Sequence, residues 1–139
     1  MTTSIDLNYR AKLWKYGKRA DEVMPELTKY IDVVIANEED CQKALGITST
    51  NKPELGEIDL SCYEDISKQV MEQYPNVKIV AITLRESHSA FDNGWSAMLY
   101  NVAKDEYCFS KKYDLHIIDR VGGGDSFGGG LIYSLLSGK

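Results

Sequence analysis

This chain has fewer lysines and arginines than acids, 16 against 21, and no long basic run. The net charge of -5, with acids and bases mixed along most of the chain, leads to the expectation of no nucleic-acid partner. No apolar run approaches bilayer-spanning length, and no secretory leader opens the sequence, so membrane partners are not expected. Cys41, Cys62 and Cys108 are odd in number and lack C-x-x-C or metal-ligand spacing, which argues against a disulfide framework or a zinc site. Reduced thiols in a cytoplasmic protein are the expectation, with Cys62 and Cys108 as half-buried small apolar residues. Internal repeats and low-complexity segments are absent. The two tryptophans and nine tyrosines share no repeated spacing, which reads as packing rather than as a stacking platform.

What is present is enough apolar residue for one core, hence one domain or a piece of one. Ser4 to Asn8 alternates and reads as a strand; Tyr9 to Trp14 reads as a loop or short helical turn. Arg19 to Ile31 has helical spacing, with Pro25 predicting a late start or a bend. Asp32 to Asn37 is a continuous apolar run of the kind found in central parallel strands. Glu38 to Leu45 predicts a helix closed by Gly46. Thr48 to Asp59 predicts a loop and Leu60 to Tyr74 a helix. Val77 to Leu84 predicts a second buried strand. Ser96 to Val102 and Glu106 to Phe109 predict shorter strands around a hairpin turn at Lys104-Asp105. Tyr113 to Ile118 predicts a last strand before a helix. The alternation argues for a doubly wound, mostly parallel α/β sheet flanked by helices. Ligands bind such sheets at the carboxyl ends of strands, which gathers Asn8, Arg10, Asn37, Thr83, Arg85 and Gly122 to Asp125 at one rim.

The richest chemistry lies in Asp119-Arg120-Val121-Gly122-Gly123-Gly124-Asp125-Ser126-Phe127-Gly128-Gly129-Gly130, between the last strand and the last helix. Three consecutive glycines let the backbone turn and aim several N–H groups at one point, where the helix adds its positive end. An anion with developing charge suits such a place. Asp125, which reads as buried, is on spacing alone either the helix cap or a base that takes a proton from a hydroxyl.

Asp119-x-x-Gly122-x-Gly124-Asp125-x-Phe127 resembles the C-terminal signature of the ribokinase-like (PfkB) carbohydrate kinases. The resemblance implies that Gly122, Gly123 and Gly124 form an anion hole and that Asp125 is the general base. Arg120 stands where the family usually has threonine, and a second glycine stands where it has alanine. Asp6-x-Asn8-x-Arg10, followed by Leu13-Trp14, is similar to the matching segment of 2-keto-3-deoxygluconate kinases. That likeness implies that Arg10 holds the carboxylate of a sugar acid and that Asn8 borders the nucleotide. Asn37-Glu38-Glu39-Asp40 resembles the family's Asn-x-x-Glu motif, which implies that Asn37 contacts the nucleotide and that Glu39 and Asp40 serve the metal. Without the likeness it is a helix start with acids on its dipole. Thr83 and Arg85 match positions against which the nucleotide lies; otherwise Arg85-Glu86 is an exposed loop pair. His88 and His116 read as surface or structural residues.

The implied cofactors are ATP and Mg²⁺, with a monovalent cation in some members whose site Arg120 would alter. Residues 1–139 read as a single partial domain, the nucleotide-binding and catalytic-base half of a sugar kinase. Its partners would be a small sugar acid and ATP, and it is expected to self-associate as a homo-oligomer or fragment. A fructokinase or ribokinase, a non-catalytic nucleotide-binding fragment and, more distantly, a Rossmann dehydrogenase are the rivals.

Overall fold

A computed structural model of the chain describes residues 1–50, 60–87, 89, 91–119 and 121–139. The expected loop over Thr48 to Asp59 lies mostly outside these, as do His88 and Arg120. The described residues include six strands, which form one sheet. β1 (Ser4–Asp6), β2 (Val33–Ala36) and β3 (Ile79–Ser87) pair in parallel. β4 (Asp92–Asn101) runs antiparallel to β3. β5 (Glu106–Phe109) and β6 (Tyr113–His116) both pair with β4, β5 along Met98–Asn101 and β6 along Asp92–Trp95.

Helices cover both faces, as a doubly wound sheet requires. On one face Val34, Ala36, Val80, Ile82, Leu84, Met98 and Tyr100 pack against α1 (Ala20–Thr28), α2 (Glu38–Asp40) and α3 (Leu60–Gln73). α2 runs on as a π-helical turn over Cys41–Leu45, closed by Gly46 in the left-handed conformation at φ 69°. On the other face Val33, Ile35 and Ala81 meet Phe127, Leu131 and Leu135 of α4 (Gly123–Leu136). Those three are spaced four apart and so share one stripe of the helix. Residues of alternating parity in β2 thus feed two cores, which explains why the run is apolar without a break.

The ends of the parallel strands opposite the site are stitched by one side chain. Asp32 accepts from the Thr3 N–H at 2.9 Å and pairs with Lys78 at 2.8 Å, so the residue before β2 holds the approaches to β1 and β3.

Several boundaries differ from expectation. β1 stops at Asp6, because Asn8 turns out of the strand. α1 spans Ala20–Thr28 with Pro25 inside it. β3 runs on past Leu84, and β4 starts at Asp92 rather than Ser96. Asn93 and Gly94 are poor strand formers, yet β4 is paired along both edges there, and tertiary pairing overrides propensity. Arg85 therefore sits in a strand and not in a loop. Cys62 is fully buried and Cys108 exposed, so neither is half-buried. The hairpin turn falls where expected, with Asp105 in the left-handed region at φ 49°. No helix among the described residues is long and apolar enough to cross a membrane.

Candidate active site

A cavity of about 1000 Å³ opens at the carboxyl ends of β1, β2 and β3, under the first turn of α4. Its first wall follows from a turn. The Asn8 N–H donates to Asp6 Oδ1 at 3.2 Å, and Asn8 takes φ 37°, which asparagine tolerates better than most residues. The chain thereby leaves β1 sharply and brings Arg10 to the cavity.

Asp40 fastens that turn. Its Oδ1 accepts the Tyr9 N–H at 2.9 Å, and its Oδ2 accepts the Asn37 N–H at 3.3 Å. Asn37 Oδ1 accepts the Asp40 N–H at 2.8 Å in return, which makes a reciprocal cap on α2. Asp40, expected to serve a metal, thus has both carboxylate oxygens engaged by backbone donors. Burial pushes its carboxyl above the ordinary range, against the pull of those hydrogen bonds and of Arg10. Burial also raises Asp6, and the charges of Asp40 and Asp125 add to the effect. Tyr63, on the same wall, is pushed up to about 12 by burial and then by Glu38, so its hydroxyl stays protonated.

The opposite wall is β3 and β4. Thr83 and Arg85 point to the α4 face by strand parity, and Trp95 lies directly opposite Arg85 in the register. Arg85 Nε and Nη2 donate to Asn93 Oδ1 at 3.0 and 2.9 Å.

The glycine turn covers the cavity from the α4 side. Gly122 is the helix cap, in the left-handed conformation at φ 82°. Gly123 and Gly124 then open α4, and the first N–H groups of a helix have no partner within it. Both glycines line the cavity. Asp125 is the third residue of α4 and is exposed, not buried, with no hydrogen-bond partner among the described residues. The cap alternative therefore passes to Gly122, and the Asp125 carboxylate is unengaged.

Of the residues singled out in the sequence, Asn8, Arg10, Asn37, Glu39 and Asp40 line the cavity on one side. Thr83, Arg85, Gly123 and Gly124 line it on the other. Gly122 and Asp125 stand just outside the lining, though Asp125 is near enough to act on Asp6 electrostatically. Among the described residues, no three His, Cys, Asp or Glu side chains gather to hold an ion by themselves. Sequence reading missed Tyr63, Trp95 and Tyr113, and gave Phe127 no role beyond its place in the signature. The signal for two of them is strand parity: Trp95 opposes Arg85, and Tyr113 opposes Trp95.

The model for pfkB family carbohydrate kinases matches residues 1–139. The chain belongs to the pfkB carbohydrate kinase family. Among solved pfkB-like structures, a 2-dehydro-3-deoxygluconokinase of Thermotoga maritima is 46% identical with a TM-score of 0.85, covering 99% of this chain and 39% of its own. A PfkB family carbohydrate kinase of Listeria grayi is 26% identical with a TM-score of 0.77, covering 99% and 38%. An ATP-dependent 6-phosphofructokinase of Thermoanaerobacterium thermosaccharolyticum is 23% identical over 133 residues, covering 96% of this chain and 34% of that protein. This pfkB chain thus spans between about a third and two-fifths of the length of these relatives.

Proposed function

We propose that this chain is the nucleotide-binding and general-base part, residues 1–139, of an ATP-dependent 2-keto-3-deoxygluconate kinase. The observation that carries the proposal is one cavity containing Arg10, the N-terminus of α4 and, at its edge, the unengaged carboxylate of Asp125. Asp125 takes the proton of the sugar hydroxyl. The hydroxyl oxygen then bonds to the γ-phosphorus, the bond to the β-γ bridging oxygen breaks, and ADP leaves. The N–H groups of Gly123, Gly124 and Asp125 receive the charge that spreads over the transferring phosphoryl oxygens, with Gly122 setting the turn. Asn8, Asn37, Thr83 and Arg85 border the nucleotide.

The acids present suit Mg²⁺ that arrives on the nucleotide and keeps its waters, rather than an ion caged by protein. Glu39 and the remaining lone pairs of Asp40 would receive those waters, and the bound ion neutralises phosphate charge. The Arg10 side chain donates to the Tyr9 carbonyl at 2.9 Å and makes no ion pair among the described residues, although Asp40 and Asp6 feel its charge. Its guanidinium is therefore suited to a carboxylate-bearing sugar. The Thermotoga maritima relative, a 2-dehydro-3-deoxygluconokinase, supports that choice over a fructokinase or ribokinase. We place the protein in the cytoplasm, where Cys41 and Cys62, both buried, stay reduced.

The test is calorimetry with MgATP, together with a transfer assay on 2-keto-3-deoxygluconate, for the native chain and Asp125→Asn. Transfer that disappears with the substitution while MgATP binding persists supports the reading. Binding without transfer by either form makes this chain a nucleotide-binding part only. Absence of MgATP binding overturns the proposal.

A further inference from the structure

We propose that Asn93 is a positioning residue whose neutral carboxamide aims Arg85 into the cavity with its positive charge uncancelled, so that the pair forms a seat for nucleotide phosphate. The proposal rests on the nucleotide reading above and adds to it a residue that is not in the cavity lining.

Asn93 is 1% exposed, on the same face of β4 as Trp95. Its Oδ1 takes two donors of one guanidinium, Nε at 3.0 Å and Nη2 at 2.9 Å. Two bonds to one planar group fix its orientation as well as its position. The Nη1 hydrogens and one hydrogen of Nη2 remain for a ligand. Arg85 makes no ion pair among the described residues, so nothing there cancels its charge.

The choice of asparagine is informative. An aspartate there would make the same two bonds more strongly and would cancel the arginine's charge. Asparagine leaves its own Nδ2 buried without a partner among the described residues, which is unfavourable. The position thus carries an energetic penalty that an aspartate or an apolar residue would avoid. What it retains is a rigid, undischarged guanidinium.

The surroundings indicate the ligand. Asp6, Glu38, Glu39, Asp40 and Asp119 line the cavity, so phosphates entering it meet a predominantly acidic rim. Arg10 stands at the β1 end and Arg85 on β3. Neighbouring strands are about 4.8 Å apart, which sets these two strands about 10 Å apart. Arg85 opposes Trp95, and Trp95 reaches Gly123, so Arg85 is the arginine on the same wall as the α4 N-terminus. Phosphate seated there meets both the guanidinium and the helix N–H groups.

The experiment titrates the chain with MgATP and with inorganic tripolyphosphate, for native protein, Asn93→Asp, Asn93→Ala, Arg85→Gln and the double variant that combines Asn93→Ala with Arg85→Gln. Circular dichroism melts confirm that each is folded. Asn93→Asp should weaken both ligands by at least about tenfold, the scale of one charge-assisted contact. Arg85→Gln should do the same, its shorter side chain still able to donate to Asn93. The double variant should lose no more than Arg85→Gln alone, because Asn93 acts only through the arginine. Additive losses would mean that Asn93 acts through packing and would overturn the proposal. If Arg85→Gln keeps full tripolyphosphate affinity while native protein binds MgATP, the phosphate seat is wrong and the nucleotide reading stands. If native protein binds neither ligand, both fail.

Discussion

The terminal ring carbon of Trp95 stands 3.9 Å from the point where a Cβ on Gly123 would lie. β4, antiparallel to its neighbours, thus reaches the first turn of the helix whose N–H groups face the cavity. Since the chain has two tryptophans, Trp14→Phe leaves Trp95 as the sole indole emitter. MgATP should then shift its emission, whereas Trp95→Phe should leave the Trp14 signal unchanged. An unshifted Trp95 alongside calorimetric binding would put the nucleotide elsewhere.

The glycines of the turn should separate into two kinds. Gly122 sits at φ 82°, so Gly122→Ala should cost roughly 1–2 kcal/mol of strain. Gly124 is helical with open space where a Cβ would go, so Gly124→Ala should stabilise the fold by about 0.5–1 kcal/mol. Its methyl group would nevertheless enter the cavity and weaken MgATP. Urea unfolding and calorimetry measured on the same samples distinguish the two effects.

Acid stability should depend on Asp32. The hydrogen bond from Lys78, then those from Thr3, hold its carboxyl down to about 2. A depressed acid gives stability that is complete above its unfolded value near 4 and is lost as pH falls through its folded value. Unfolding midpoints should therefore drop between about pH 4 and 2, and Asp32→Asn should flatten that limb. Asp6 and Asp40 act in the opposite sense, because burial raises both and protonation favours the folded state. An unchanged acid limb in Asp32→Asn would remove Asp32 from this account.

The outer side of α4 should drive self-association. Tyr133 is 64% and Leu136 81% exposed, and Ile118 and Val121 beside the turn are 92% and 88% exposed. Exposed apolar side chains at both ends of one helix favour contact between copies. Sedimentation should show oligomers at micromolar concentration, with Leu136→Glu shifting the chain towards monomer. A native chain that is monomeric throughout would exclude the idea.

Much of this was legible in the order of residues. The runs over Asp32 to Asn37 and Val77 to Leu84 announce strands covered on both faces, because only two cores can occupy both parities. Strand, glycine turn and helix near the end predict an N-terminus facing a ligand, since glycine triplets relieve the same steric limit in any fold. The carboxyl-end rule then places Arg10, Asn37, Thr83 and Arg85 around one cavity. Tertiary structure decided what those side chains do there. Asp40 spends its oxygens on Tyr9 and Asn37, Asp125 stands exposed while Gly122 makes the cap, and Trp95 enters the site, with Asn93 behind Arg85, from a stretch that the sequence assigned to no strand. Those outcomes depend on register and on partners far apart in sequence. β4 becomes a strand at Asp92 because β3 and β6 pair with it, and only that pairing puts a neutral amide under the guanidinium of Arg85.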